Sequence, residues 1–168
     1  MNMNSQIRKL GAVISLATML LVAAGCTKHR LTSSASIVIE PGVSFDTIRP
    51  GWTAQQVIDS FGEPEERSEN ELKYADLGIS VKLKNNVVQI ISCLNAQKDG
   101  PIKKSFAGHT KEGIGFGSSR DDIIHAYGEP STTESSPKAP GVEVLRYKSL
   151  GLFFMLRDEK VLNMSVIF

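Results

Sequence analysis

The chain has 168 residues, with 19 basic side chains against 18 acidic ones and a formal net charge of +1. Hydrophobic residues make up 41% of it and charged residues 22%, which is typical of a folded domain and too apolar for a disordered chain. So small a net charge excludes a global electrostatic attraction to nucleic acid. Two cysteines exclude a disulfide-dense scaffold. No spacing of histidine, cysteine and carboxylate residues suggests a metal site, and neither a cofactor nor a small-molecule substrate is predicted.

Residues 1–25 are typical of a secretory signal peptide. Arg8 and Lys9 precede an uncharged apolar stretch of fifteen residues, whereas a membrane-spanning helix needs about 20. Small residues then stand directly before Cys26, and this arrangement resembles the lipobox of bacterial lipoproteins. The resemblance implies cleavage before Cys26, a diacylglycerol on its sulfur and an acylated amino group. The alternative is an ordinary cleaved signal, with Cys26 present by chance.

Residues 26–36 are predicted to be a lipidated, flexible tether. The segment is polar and shows no hydrophobic periodicity. Several acyl chains, at about 0.8 kcal/mol per buried methylene, make a stable membrane anchor. Thr27 follows the cysteine, and a resemblance to the sorting rule of enteric bacteria implies the periplasmic side of the outer membrane rather than the inner membrane.

The remaining chain is predicted to be a tandem repeat, with copies at residues 37–98 and 99–168. Residues 51–64 align without gaps to residues 117–130 at an offset of 66, and both end in Gly-Glu-Pro. Residues 72–92 align to residues 145–165 at an offset of 73. The seven extra residues fall in a predicted loop at 131–144, which is where a repeat tolerates an insertion.

A short helix is expected near the start of each copy. Thr53 and Ser119 are N-cap candidates, with Gln56 and Asp122 three residues later as capping-box partners. The apolar residues that follow are spaced for one helical face. A glycine and a proline in each Gly-Glu-Pro segment predict the helix end.

Three strands are expected after each helix. They are predicted at residues 72–75, 79–84 and 87–94 in the first copy, and at 142–148, 152–157 and 160–167 in the second. Asn85-Asn86 and Asp158-Glu159 are predicted two-residue hairpin turns. The expected fold is therefore α+β, each copy having a short helical segment packed on a three- to four-stranded antiparallel β-meander.

Residues 43–168 resemble the β-lactamase inhibitor protein superfamily. The motif runs through Phe45-Asp46-Thr47-Ile48-Arg49-Pro50-Gly51-Trp52-Thr53, then Val57 and Phe61-Gly62-Glu63-Pro64, and recurs in Ile114, Gly117, Ile123 and Tyr127-Gly128-Glu129-Pro130. The small lipoprotein of the outer-membrane β-barrel assembly machine is similar. Tandem copies look more like the inhibitor protein, whereas a lipid anchor looks more like the assembly lipoprotein. The resemblance implies a BLIP-like fold that binds other proteins, and it supplies no catalytic residues.

Strand alternation predicts a partner-binding surface in the second copy. If Asp158-Glu159 is a simple two-residue turn, the side of the hairpin that faces away from the helix carries Phe153, Met155, Leu162 and Met164. An exposed apolar patch of this kind usually marks a partner surface. Two alternatives remain open: the two sheets fold on each other, or residues 37–39 cover this side.

The sequence therefore predicts a non-catalytic, lipid-anchored protein of the cell envelope that binds an envelope protein as a scaffold or assembly accessory. The alternative is an inhibitor of a periplasmic or secreted hydrolase, which would act through the loop at 131–144. Cys93 lies in a predicted strand without a base placed beside it, which favours a packed thiol over a nucleophile. Lys98, Lys103 and Lys104 are interpreted as a solvated linker between the copies.

Overall fold

The computed structural model describes Leu31 and residues 33–135 and 139–168, and it has an α+β fold. The predicted signal peptide and Cys26 lie outside the described residues. Within the described part the strands and helices are β1 (Val38–Glu40), β2 (Ser44–Phe45), α1 (Ala54–Phe61), β3 (Glu66–Arg67), β4 (Glu71–Tyr74), β5 (Ile79–Lys84), β6 (Val87–Cys93), β7 (His109–Thr110), α2 (Arg120–Tyr127), β8 (Thr132–Ser135), β9 (Val142–Tyr147), β10 (Leu152–Arg157) and β11 (Lys160–Ile167).

Most of the strands form one antiparallel sheet of eight, in the order β3-β4-β5-β6-β11-β10-β9-β8. Strands β6 and β11 pair at its centre and join the first four strands to the last four. A smaller sheet has the order β2-β1-β7, in which β1 pairs antiparallel to β2 and parallel to β7. The predicted regions 37–98 and 99–168 therefore share both sheets.

Both helices begin as predicted, with complete capping boxes. The Thr53 side chain accepts a hydrogen bond from the Gln56 amide, and the Gln56 side chain accepts one from the Thr53 amide. Ser119 and Asp122 make the same reciprocal pair at α2. The hydrogen bonds to Ser119 lower the pKa of the Asp122 carboxyl. Each cap satisfies amides that a helix start would otherwise leave unpaired.

Both helices also end at the predicted glycines, although not in the expected left-handed helical conformation. Gly62 has φ 86° and ψ −176°, and Gly128 has φ 75° and ψ −164°. This combination is almost confined to glycine. It turns the chain straight from helix into an extended segment, and the carbonyls of the two glycines accept hydrogen bonds from Tyr74 and Tyr147 hydroxyls.

The hairpin turns and the predicted strands are confirmed to within one residue at each end. Both turns have two residues at positive φ, with values of 52° and 64° at Asn85-Asn86 and of 50° and 61° at Asp158-Glu159. This is the primed geometry that suits twisted strands. The edge strands β3 and β8 and the small sheet had not been predicted.

The predicted register of both hairpins is wrong beyond the first two residue pairs, because each hairpin contains a β-bulge. In β10–β11 the shift falls between Met155 and Leu156, and Met155 pairs with Asn163 rather than with Leu162. In β5–β6 it falls between Lys82 and Leu83. One extra residue on the bulged strand sends every later side chain to the opposite side of the sheet.

The core lies between the eight-stranded sheet and the helices, and it includes the N-terminal segment. Ile37 and Ile39 are fully buried in the same cluster as Phe61 of α1 and Ile91 of β6. Ile37 and Ile39 therefore lie on the inner, helix-covered side of the sheet, and Val38 between them is exposed. The opposite side is called here the outer face.

The predicted tether is ordered where the structure describes it. Ser34–Ser36 form a 3₁₀ turn, capped by the Ser33 side chain. The Ser34 hydroxyl, almost fully buried, accepts a hydrogen bond from the Ala107 amide at 2.9 Å. The prediction of a flexible segment up to residue 36 is therefore wrong for these residues, because their polar groups are used by the turn and by a distant loop.

Candidate interaction face

An open trough of about 390 Å³ lies on the outer face, across the strands from β5 to β9. Met155 and Ile167 are its most exposed apolar side chains, at 36% and 37%. Its lining residues are Lys82, Ile90, Ser92, Leu94, Val144, Arg146, Phe153, Met155, Asn163, Met164, Ser165 and Ile167. Since the two halves pair edge to edge and residues 37–39 lie on the inner side, neither of the predicted internal covers lies on this trough.

The four predicted partner-binding residues separate in the structure. Phe153 and Met155 lie on the outer face, half-buried and exposed respectively. The prediction is wrong for Met164, which borders the trough but is 1% exposed and belongs to the core cluster. Leu162 is the bulge residue without a partner on β10. The physical reason is the bulge, which moves Met164 inward and brings Asn163 and Ser165 outward.

Residues that sequence reasoning missed complete the apolar part of the trough. Ile90 lies on β6 with Leu94 directly after it, Val144 lies on β9, and Ile167 lies at the end of β11. Ile90 and Leu94 reach the trough only through the pairing of β6 with β11, which a local pattern does not encode. The bulge had a local signal, because the buried apolar residues of β11 are spaced by three and then by two.

One end of the trough is built around Arg146. Its guanidinium carbon lies 4.9 Å from the centroid of the Phe153 ring. The same group donates two parallel hydrogen bonds of 2.9 Å to the carboxylate of Glu134 on β8. These bonds lower the pKa of Glu134 and raise that of Arg146. The ion pair and the ring contact together place the cation over Phe153 on the outer face.

The middle of the trough is polar. Ser92 and Ser165 face each other across the β6–β11 pair, with their hydroxyl oxygens 3.2 Å apart. Asn163 lies beside Met155, its side-chain nitrogen 4.0 Å from the sulfur. Lys82 forms the other end on β5. The trough thus combines an apolar half, central hydroxyl and amide groups, and a lysine.

A second depression, of about 610 Å³, lies near the start of α1 and is mostly polar. Its lining includes Arg67, Glu69 and three asparagines at positions 70, 85 and 86. The backbone carbonyl of Asn86 accepts a hydrogen bond from the Ala54 amide, and that of Asn70 accepts one from the Leu83 amide. The backbone groups here hold the turns together, and no acid–base pair is formed by these side chains.

The Cys93 thiol is fully buried at the β6–β11 seam, and burial raises its pKa well above the usual range. A buried, protonated thiol is a poor nucleophile.

The burial of Cys93 can be tested in a Cys26→Ser chain, where Cys93 is the remaining cysteine. We expect an aromatic disulfide reagent to react about a hundredfold or more slowly with the native protein than with the urea-unfolded one. Stopped-flow absorbance measures both rates, and equal rates would contradict the buried placement.

The predicted inhibitory loop at 131–144 is largely sheet. Thr132–Ser135 form the edge strand β8, which pairs with β9, and β9 itself begins at Val142. The prediction of one long free loop is therefore wrong. Residues 136–138 at its tip lie outside the described residues.

Two further properties hold for the described residues. None of their helices is long and apolar enough to cross a membrane. They also contain no group of three or more histidine, cysteine, aspartate or glutamate side chains placed to hold a metal ion.

No protein-family model matches the chain, and no curated protein matches it. Among solved structures, the chain is similar to a DUF4309 family protein, YjgB, from Bacillus subtilis. The two share 12% sequence identity with a TM-score of 0.42, and the match covers 68% of this chain and 77% of YjgB. Similarity at this level carries no argument about function, and the resemblance to the β-lactamase inhibitor protein superfamily stays a prediction.

Proposed function

We propose that the chain is a non-catalytic, lipid-anchored protein of the bacterial cell envelope, which binds another protein through the apolar half of the outer face. The observation that carries the proposal is the exposed apolar trough around Phe153 and Met155. Large apolar side chains exposed together usually mark a partner surface. Methionine adapts its shape to such a partner.

The proposal includes a tandem duplication as the origin of the fold. The strand order is symmetric about the β6–β11 pair, and Ser92 pairs there with Ser165, the residue 73 positions later. Gly78 and Gly151, also 73 apart, both have positive φ. The carbonyl of each accepts a hydrogen bond from an amide at the end of the neighbouring strand. The bulges recur at the same offset, and the capping boxes recur at the offset of 66. These features support two copies related by an approximate two-fold axis.

The duplication explains why the second copy is the better candidate for binding. At an offset of 73, Ser80 and Lys82 of the first copy correspond to Phe153 and Met155 of the second. All four lie on strands that have the same bulge. The shared strand geometry therefore does not by itself require apolar side chains at these positions. The presence of the apolar side chains Phe153 and Met155 in the second copy alone favours a role in binding a partner protein.

The partner surface is tested by Phe153→Asp in the lipidated protein, with photocrosslinking in intact envelopes. A carboxylate within the apolar half is expected to reduce the yield of the crosslinked partner by about tenfold or more, as for a buried interface residue. The matched control is Val43→Asp, since Val43 is an exposed apolar residue, at 47%, in the turn between β1 and β2. Unchanged capture by Phe153→Asp, or equal loss in the control, would refute the assignment.

The anchor is tested by metabolic labelling with palmitate. We expect label on the wild-type chain, and none on Cys26→Ser, because the sulfur of Cys26 is the proposed site of the diacylglycerol. Mass spectrometry of the processed N-terminus checks the cleavage before Cys26. Label that persists in Cys26→Ser, or an unlabelled wild type, would contradict the lipid anchor.

A further inference from the structure

We infer that residues 95–107, the lysine loop, form a membrane-facing surface that binds the headgroups of anionic phospholipids. The inference rests on the proposed lipid anchor. Lys98, Lys103 and Lys104 of this loop are all exposed. Lys103 donates a hydrogen bond of 3.3 Å to the Gly100 carbonyl of the same loop, and Lys104 lies 3.9 Å from Asp76. The contacts that hold the loop on the core are made by other groups.

The lysine loop is a fixed part of the fold. The Gln97 amide bonds to the Ile102 carbonyl at 3.1 Å, and the Ala96 amide bonds to the Ser105 hydroxyl at 3.0 Å. Ile102 and Phe106 are buried, at 1% and 2% exposure. The backbone that carries the lysines is therefore ordered, so the fold determines on which side of the protein they lie.

The loop lies where the chain comes from its proposed anchor. Ser34 is hydrogen-bonded to Ala107, and a Cβ added to Gly108 would lie 2.8 Å from the Ser34 carbonyl oxygen, so the two segments are in backbone contact. Leu31, three residues earlier, packs against the core. From there to Cys26 the chain has five residues, which span at most about 18 Å. A lipid on Cys26 thus keeps this part of the surface close to the bilayer.

The charge of the region fits an anionic surface. The lysine loop contains three lysines and one acidic residue, Asp99. Lys104 is 3.9 Å from Asp76, but its side chain stays 62% exposed. Lys28 and Arg30 lie between Cys26 and Leu31 with no acidic residue among them. A basic residue near an anionic membrane contributes about 1 kcal/mol, which is about fivefold in affinity.

The other end of the sheet provides an internal control. Gly78, just before β5, is in contact with the backbone of residues 104–106. Lys84 ends β5 at the opposite end of that strand, about 17 Å away at the usual rise per residue. That distance exceeds the Debye length of about 8 Å at physiological salt. Lys82, two residues nearer on the same strand, is still about 10 Å from its start at that rise. Both lysines are exposed and are expected to interact with the headgroups less than the loop lysines do.

The experiment measures lysine acylation in the lipidated protein reconstituted in vesicles. A water-soluble acylating reagent is applied in phosphatidylcholine alone and in phosphatidylcholine mixed with phosphatidylglycerol, and each lysine is quantified by mass spectrometry. We expect Lys98, Lys103 and Lys104 to react about fivefold more slowly with the anionic lipid present, and Lys82 and Lys84 to change by less than about twofold. High salt should abolish the difference.

Charge reversal separates binding from mere proximity. In Lys103→Glu/Lys104→Glu the protection of Lys98 should be lost, whereas Lys82→Glu/Lys84→Glu, with the same change in net charge, should leave it intact. Equal reactivity of the loop lysines in both lipids, in a protein that does carry palmitate, would overturn this inference and leave the anchor standing. A wild type without palmitate would instead remove the anchor and this inference with it.

Discussion

Phe154→Ala is expected to lower the free energy of unfolding by about 3–5 kcal/mol, the usual cost of emptying a phenylalanine site in a core. Phe154 is fully buried. Its ring stacks on Tyr127 at a centroid distance of 6.0 Å and meets Tyr147 edge-on at 6.2 Å. The cavity would have to form among rigid rings that cannot collapse into it. Urea denaturation followed by circular dichroism measures the change.

The neighbouring Phe153 is the matched control. It has the same side chain and lies in the same strand, but it is on the outer face under Arg146. Phe153→Ala loses a cation–π contact and little core volume, so a cost of about 1 kcal/mol or less is expected. If the two alanine variants had equal stabilities, or if their order were reversed, the assignment of inner and outer faces in β10 would be wrong.

Gly151→Ala is the second substitution with a large expected effect. Gly151 has φ +57°, and an added Cβ would lie 2.3 Å from the carbonyl oxygen of Ile167. The end of β11 would have to move, and this end is held by the Ile167 amide, which donates to the Gly151 carbonyl at 2.7 Å. We expect a loss of about 3–5 kcal/mol, from left-handed strain and overpacking together.

Gly113→Ala separates those two causes. Gly113 has φ +85°, and an added Cβ would meet nothing within 4 Å. Its cost should therefore be the conformational strain alone, about 1–3 kcal/mol. Thermal or urea unfolding of both variants gives the comparison. A Gly113→Ala variant as unstable as Gly151→Ala would show that the close approach to Ile167 does not matter.

The features that the sequence predicted well are short-range. A capping box needs residues three apart, and the Thr53–Gln56 and Ser119–Asp122 pairs form as expected. The two hairpin turns lie between residues already adjacent in the chain. In each case the chemistry that decides the conformation is contained in a few neighbouring residues, so the pattern was sufficient.

The features that were missed depend on distant partners or on one inserted residue. Strands of two or three residues, such as β2 and β7, have no pattern of their own and exist because β1 lies between them. The bulge in β11 was detectable, since Val161, Met164 and Val166 are the buried positions and their spacing changes from three to two. Val88, Ile91 and Cys93 show the same spacing in β6. Strict alternation placed Met164 on the wrong side.

The position of β11 has a consequence for how the chain reaches its native state. This strand is the last in order along the described chain, yet it occupies the middle of the large sheet, between β6 and β10. During synthesis, the edge of β6 that pairs with β11 therefore stays unpaired until β11 itself has emerged. Such an edge is prone to join another molecule. The eight-stranded sheet is therefore completed only when β11 docks, and until then β6 and β10 each have an exposed edge.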